Sequence, residues 1–174
     1  VLTRADAVSA PRRHEIRGLL AAARRSAPPA VWAEAEHRPV SLRRWEGGSS
    51  PLEEIRGRRV AACAAIGNPA AFRATLAALG ADVVAFRALP DHHAYGAADL
   101  AALARLAADA RVELVVTTLK DLVKIRRGEL GGTPLAALEI ALFVREGGDE
   151  LAAALERAVG LADRGTGLQQ PGAG

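Results

Sequence analysis

Three apolar runs, Val60 to Ile66, Val83 to Phe86 and Leu114 to Val116, constrain this chain more than any other feature. Each stops at a cluster of small or polar residues: Gly67-Asn68-Pro69, then Pro90 to Tyr95, then Thr117 to Asp121. A helical spacing of apolar residues resumes after each cluster. Strand, polar loop and helix, three times over, predict right-handed βαβ units around a parallel sheet. The loops after the strands of such a sheet emerge at its carboxyl edge, where open α/β folds bind ligands. Residues near 67, 92 and 120 are therefore expected on one rim, although they are distant in sequence.

Local signals sharpen this pattern. Gly67 permits close backbone approach, Asn68 is a good N-cap, and Pro69 suits the first helical position. The helix they open buries Phe72, Leu76 and Leu79, and Gly80 stops it. Further strands are predicted over 82–87, 112–117 and 138–144, and helices over about 97–108, 121–126 and 150–159. Upstream, Val1 to Thr3 reads as a strand end, followed by an Arg4-Ala5-Asp6 loop. A helix then starts at Ser9-Ala10-Pro11, presents Ile16, Leu19, Leu20 and Ala23 on one face, and ends by residues 26–29. Two short strands are expected, Pro29 to Ala35 and Val40 to Arg43, with a break at His37-Arg38-Pro39. Gly47-Gly48-Ser49-Ser50-Pro51 is the most linker-like stretch. The expected organisation is thus residues 1–50 as one piece, 51–162 as a second domain, and 163–174 as a disordered tail.

Half of the residues are apolar but only 3% are aromatic, so Ala, Leu and Val must build the core. The net charge of +3 comes almost entirely from Arg interleaved with acids. No block of like charge appears, so a solvated surface is expected and no nucleic-acid partner. The lone Cys63 cannot form an internal disulfide, which fits a reducing compartment, and its apolar surroundings make it a buried small hydrophobe. No apolar run reaches the roughly 18 residues of a membrane-spanning helix. The lack of Met and the opening Val1-Leu2-Thr3 predict a fragment whose natural start lies upstream.

Asp91-His92-His93 is the sharpest chemical signal. With no nearby Cys and no helical His spacing, it is not expected to bind metal. A histidine beside a carboxylate suits acid–base work, because an imidazole titrates near ~6.5. The same residues also make ordinary surface turns. Thr118 with Asp121 three residues on resembles a capping box, and Lys120 at that helix start could hold an anion; the spacing leaves both readings open. Gly67-Asn68-Pro69 is a strand-to-helix turn and not a phosphate loop, since G-x-x-x-x-G-K-[ST] occurs nowhere in the chain.

Taken jointly, these motifs resemble a known family. They are Ala65-Ile66-Gly67-Asn68-Pro69 with Phe72, Thr75-Leu76 and Leu79-Gly80, then Pro90-Asp91-His92-His93-Ala94-Tyr95, then Thr118-Leu119-Lys120-Asp121-Leu122-Val123-Lys124. Their order and spacing over about residues 59–145 resemble the C-terminal half of the tetraacyldisaccharide 4′-kinases. Val1 to Asp6 resembles the strand end and loop that close the family's N-terminal P-loop domain. The resemblance implies an α/β chain: the end of a P-loop kinase domain, then a Rossmann-like parallel sheet with flanking helices. It implies an ATP-dependent kinase acting on the 4′-hydroxyl of a tetraacylated disaccharide 1-phosphate, the lipid A precursor. The expected location is peripheral, at the cytoplasmic face of the bacterial inner membrane. ATP and Mg²⁺ would be held mainly by the upstream P-loop domain.

His92 falls on the histidine of the family's Asp-His motif, which pairs with a catalytic aspartate, so Asp91 and His92 are the expected catalytic residues. Gly67, Asn68, Lys120, Asp121 and Arg4 are expected to bind substrate or nucleotide. Leu119 departs from the Glu usual at the second position of the Thr-x-Lys-Asp motif. Phosphoryl transfer depends on positioning and charge stabilisation by the phosphate loop, so this chain alone is expected to be inactive. The alternative is a reading of another class, a non-catalytic binding or regulatory module on a Rossmann-like fold.

Overall fold

The computed structural model describes residues 1–23 and 30–165. In chain order its elements are α1 (Ala10–Ala23), β1 (Glu34–Arg43), β2 (Ser49–Ser50), β3 (Arg59–Ala64), α2 (Pro69–Ala78), β4 (Asp82–Ala88), α3 (Ala97–Asp109), β5 (Leu114–Thr118), α4 (Leu119–Ile125), β6 (Glu129–Leu130), β7 (Thr133–Glu146) and α5 (Gly148–Gly165). The predicted helix end at residues 26–29, and all but the first three residues of the predicted tail, lie outside the described residues.

The chain forms two compact units, residues 39–141, and residues 1–38 with the chain from Leu142 onward. These limits differ from the expected boundary at residue 50, because β1 and β7 each contribute residues to both units.

In the 39–141 unit the strand order is β2-β1-β7-β5-β3-β4. β3 lies between β4 and β5 and is parallel to both, and β5 is parallel to β7. The parallel sheet read from the three apolar runs is therefore present. Its margins are antiparallel: β2 pairs with β1, and β6 with β7.

Strand alternation sorts the core into two layers. Val60, Ala62 and Ala64 of β3 pack with Phe72 and Leu76 of α2. Ala61 and Cys63, pointing the other way, pack with Leu103 and Ala107 of α3 and with Leu122 and Ile125 of α4. Helices thus cover both faces of the sheet, which is why β3 and β5 read as unbroken apolar runs. The chain leaving β3 turns to one face, and the chain leaving its neighbour β5 turns to the other. A crevice opens between such diverging connections at the carboxyl edge.

Three local features differ from expectation. β1 runs unbroken through Pro39. β2 pairs only with Leu42 and Arg43, so the side of β1 facing β2 carries no ladder at Pro39, and a strand tolerates proline where its missing N–H has no ladder partner. β7 is 14 residues long and starts in a hairpin with β6. Gly131 and Gly132 close that hairpin with φ of 60° and 82°, the left-handed pair that a two-residue turn requires. α1 forms as predicted, but none of its residues is buried, so the expected apolar face of Leu19 and Leu20 is uncovered among the described residues.

In the other unit, Leu2 bridges Glu34 in parallel, as a strand end should. The buried Glu34 carboxylate takes Arg13 at 2.7 Å and the Trp32 indole N–H at 3.3 Å. Arg145 lies 3.2 Å from the buried Glu36.

Candidate functional site

The loops after β3, β4 and β5 converge. Lys120 Nζ donates to Asp91 Oδ1 at 2.9 Å, and a Cβ on Gly67 would lie 3.8 Å from Asp91 Oδ2. Gly67, Asp91 and Lys120 therefore share one rim, as the strand–loop pattern predicts. Asn68 caps α2: its Oδ1 accepts the Ala71 N–H at 3.0 Å, with Pro69 at the first helical position.

The central loop is a tight turn. The His93 N–H donates to the Pro90 carbonyl at 3.1 Å, and His92, at the third position, has φ of 63°. That left-handed conformation is one that glycine or asparagine adopts most readily. The His92 N–H donates to Asp91 Oδ1 at 2.9 Å. The Lys120 ammonium, with help from this N–H, holds the Asp91 carboxyl below the usual carboxylate range.

The two histidines have different fates. His93 Nε2 lies 3.0 Å from Asp99 Oδ2, and its ring stands edge-on to Tyr95 at 5.5 Å. Its carbonyl accepts the Lys124 ammonium at 3.2 Å. The His92 side chain is 78% exposed, with Nε2 3.8 Å from Asp91 Oδ2. Its ring makes no hydrogen bond among the described residues. The Gly96 N–H and then His93 keep Asp99 below its ordinary range.

Asp121 lies under the rim and is fully buried. Its Oδ2 accepts the Ala65 N–H at 2.9 Å and the Thr118 hydroxyl at 2.8 Å. Thr118 Oγ1 in turn accepts the Asp121 N–H, so the predicted capping interaction forms at the start of α4. Among the described residues Asp121 Oδ1 has no hydrogen-bond partner, and Lys124 Nζ stands 3.9 Å away. Asp121 was expected to bind a ligand; here it joins the end of β3 to the start of α4 from within.

Nearby, the Tyr95 hydroxyl is also buried, with no hydrogen-bond partner among the described residues. Burial first, then Cys63 and Asp121, push its ionisation upward. Burial raises the Cys63 thiol to about 11, which removes it from nucleophilic chemistry near neutral pH. Arg4 belongs to the other unit, where it precedes a short 3₁₀ turn with φ of 54°.

The sequence reading gave Thr118 a capping role and gave no role to Lys124. The available signal was spacing: Lys120 and Lys124 are four apart and share one face of α4. The rim presents an exposed imidazole and an exposed ammonium, groups suited to moving a proton and attracting an anion. Among the described residues, no cluster of three or more His, Cys, Asp and Glu could hold a metal ion.

A family model described as tetraacyldisaccharide-1-P 4′-kinase matches residues 1–159. The tetraacyldisaccharide 4′-kinase of Syntrophus aciditrophicus (strain SB) is 43% identical over 110 residues, covering 63% of this chain and 29% of the relative. That of Anaeromyxobacter dehalogenans (strain 2CP-C) is 38% identical over 159 residues, covering 88% of this chain and 40% of the relative. That of Methylorubrum populi is 48% identical over 134 residues, covering 74% and 39%. The crystal structure of LpxK from Aquifex aeolicus in complex with ATP aligns over 71% of this chain and 36% of that one, at 21% identity and a TM-score of 0.46. The chain spans about two fifths or less of the length of these relatives. With a family match over most of its length and relatives of this identity, the chain belongs to the tetraacyldisaccharide-1-P 4′-kinase family.

Proposed function

We propose that the full polypeptide containing this chain transfers the γ-phosphate of ATP to the 4′-hydroxyl of a tetraacyldisaccharide 1-phosphate, the lipid A precursor. It works peripherally at the cytoplasmic face of the bacterial inner membrane. Residues 1–38 belong to the closing portion of a P-loop domain, and the 39–141 unit with its parallel sheet is a Rossmann-like C-terminal domain. ATP and Mg²⁺ are held mainly by an upstream P-loop portion of the polypeptide, and no step at this rim is routed through the ion.

The fate of the two histidines carries this reading. The turn fixes Asp91 through Lys120, and fixes His93 through Asp99 and Lys124, yet leaves the His92 imidazole exposed in a left-handed conformation. Such a conformation costs about 1–2 kcal/mol for a residue other than glycine. No hydrogen bond of the His92 ring to the described residues offsets it. Strain of this kind persists where the surroundings over-determine it, commonly at functional sites.

The substrate hydroxyl must lose a proton as it attacks phosphorus, and a carboxylate is a weak base for an alcohol. His92 pairs with an upstream catalytic aspartate, orients it and shares that proton. Asp91 holds the turn for His92. Lys120, Gly67 and Asn68 bind an anionic group of substrate or nucleotide, and Arg4 is a separate candidate for binding substrate or nucleotide. In the full-length enzyme, His92→Ala should lower kcat by roughly 10² or more while changing the KM for ATP less than about tenfold, and His93→Ala should be much milder. Equal losses in the two variants, or a defect confined to KM for ATP, would remove His92 from the catalytic pair. The 174-residue chain alone should show no turnover.

A further inference from the structure

The two residues that flank His92 are each held by a lysine of α4. Lys120 takes the Asp91 side chain at 2.9 Å, and Lys124, one helical turn later, takes the His93 carbonyl at 3.2 Å. The two grips differ in quality. The Lys120–Asp91 pair is exposed, 41% and 44%, so water and salt screen it. Lys124 is 28% exposed and is backed by the Asp121 carboxylate, which is wholly buried, 3.9 Å behind it. Asp121 is itself bonded to the Ala65 N–H, just before the Gly67 loop, and to Thr118, just before Lys120. One ammonium thus connects the turn that presents His92 to a carboxylate joining the other two loops of the rim.

We propose that Lys124 is a positioning residue for His92: by holding the His93 carbonyl against the buried Asp121, it fixes the left-handed turn and so the direction of the His92 imidazole. Its kinetic consequence rests on the function proposed above; its structural consequence does not. An ammonium suits the task because it donates to the His93 carbonyl while its charge is attracted by the Asp121 carboxylate 3.9 Å away. A displacement of about 1 Å at a reacting group can cost about 10² in rate. A residue acting only through His92 loses its effect once the imidazole is gone.

The test uses the full-length protein with Lys124→Met, His92→Ala and the double variant, followed by kcat and KM for ATP, and by amide order of ¹⁵N-labelled histidines. Lys124→Met should lower kcat by roughly 10-fold to 10²-fold with KM for ATP within about threefold. The double variant should be no slower than His92→Ala alone. Lys124→Arg, which keeps a donor, should recover part of the loss. A double variant slower by the product of the two single effects would overturn the proposal. So would a Lys124→Met enzyme with full kcat. Lys124→Met leaves Asp121 without its cation and could fail to fold, so Lys124→Met with Asp121→Asn removes both charges and carries the same two expectations. If the wild-type protein proves to have no kinase activity, the proposed function fails, and the amide measurement still decides this inference. The His92 and His93 amides should lose order in Lys124→Met and keep it in Lys124→Arg; unchanged order in both would refute the clamp.

Discussion

Asp121→Ala should be among the most damaging single substitutions in the 39–141 unit, and the size of the loss follows from the bonds that disappear. The carboxylate accepts the buried Ala65 N–H and the Thr118 hydroxyl, and it faces Lys124. Hydrogen bonds to a charged partner contribute about 1.5–3 kcal/mol each, and an orphaned buried donor costs about 1–3 kcal/mol. Thr118 and Lys124 are both partly exposed and can turn to water, so the uncompensated loss centres on the Ala65 N–H. Asp121 Oδ1 already has no hydrogen-bond partner among the described residues, so deleting it regains some desolvation. The balance is about 3 kcal/mol, the lower end of what breaking a buried ion pair costs. For a unit of about 100 residues each kcal/mol moves the melting temperature by roughly 4–8 °C, giving a fall of roughly 12–24 °C. Asp121→Asn keeps one oxygen for the Ala65 N–H and should lose about half as much. Urea and thermal unfolding followed by circular dichroism measure both variants. A loss below about 1 kcal/mol for Asp121→Ala would refute the reasoning, because it would mean that water satisfies the Ala65 amide when the carboxylate is gone.

Two further outcomes follow from ionisation. Cys63, buried and raised to about 11, should not react with a thiol reagent at pH 8 in the native protein and should react fully in denaturant; rapid native labelling would contradict its burial. Asp91 is held below its ordinary range by Lys120, so its contribution is present above the unfolded value of about 3.9 and is lost as pH falls through the lowered folded value. A carboxyl ¹³C titration should place the Asp91 midpoint below that of a model peptide, and 1 M salt should move it back upward.

Legibility in the sequence followed burial. β3 and β5 were readable because strands covered on both faces must be apolar throughout, and Asn68, Pro69 and Gly80 act locally, as N-cap, first helical residue and stop. The shared rim of Gly67, Asp91 and Lys120 was readable because chain direction alone puts every loop after a parallel strand at one edge. β1 was misread as two strands because Pro39 breaks a strand only where its missing N–H is needed, and that depends on a neighbour, β2, that local pattern does not reveal. The burial of Asp121 was hidden for a related reason. Its main partner, the Ala65 N–H, lies 56 residues away, while the cap with Thr118 lies three away and was visible. Lys124 looked like one more charge on a short helix, since the carbonyl it takes belongs to a turn 31 residues upstream.

The turn at residues 90–93 permits a last prediction that separates fold from chemistry. At φ of 63° the third position would be least strained as glycine. Replacing histidine there relieves about 1–2 kcal/mol of left-handed strain but returns about 0.5–1 kcal/mol of backbone freedom to the unfolded chain. His92 contributes no ring hydrogen bond among the described residues, and its side chain is 78% exposed, so little else changes. His92→Gly should therefore be neutral to about 1.5 kcal/mol more stable than the wild type. His92→Ala keeps the strain and should be no more stable than wild type. In the full-length enzyme both variants should show the same loss of kcat, because both lack the imidazole. A glycine variant that is more stable and equally inactive would show that the histidine is kept against the preference of the backbone. A glycine variant destabilised by more than about 1 kcal/mol would show instead that the ring supports the turn, and the division of labour between His92 and His93 would be wrong.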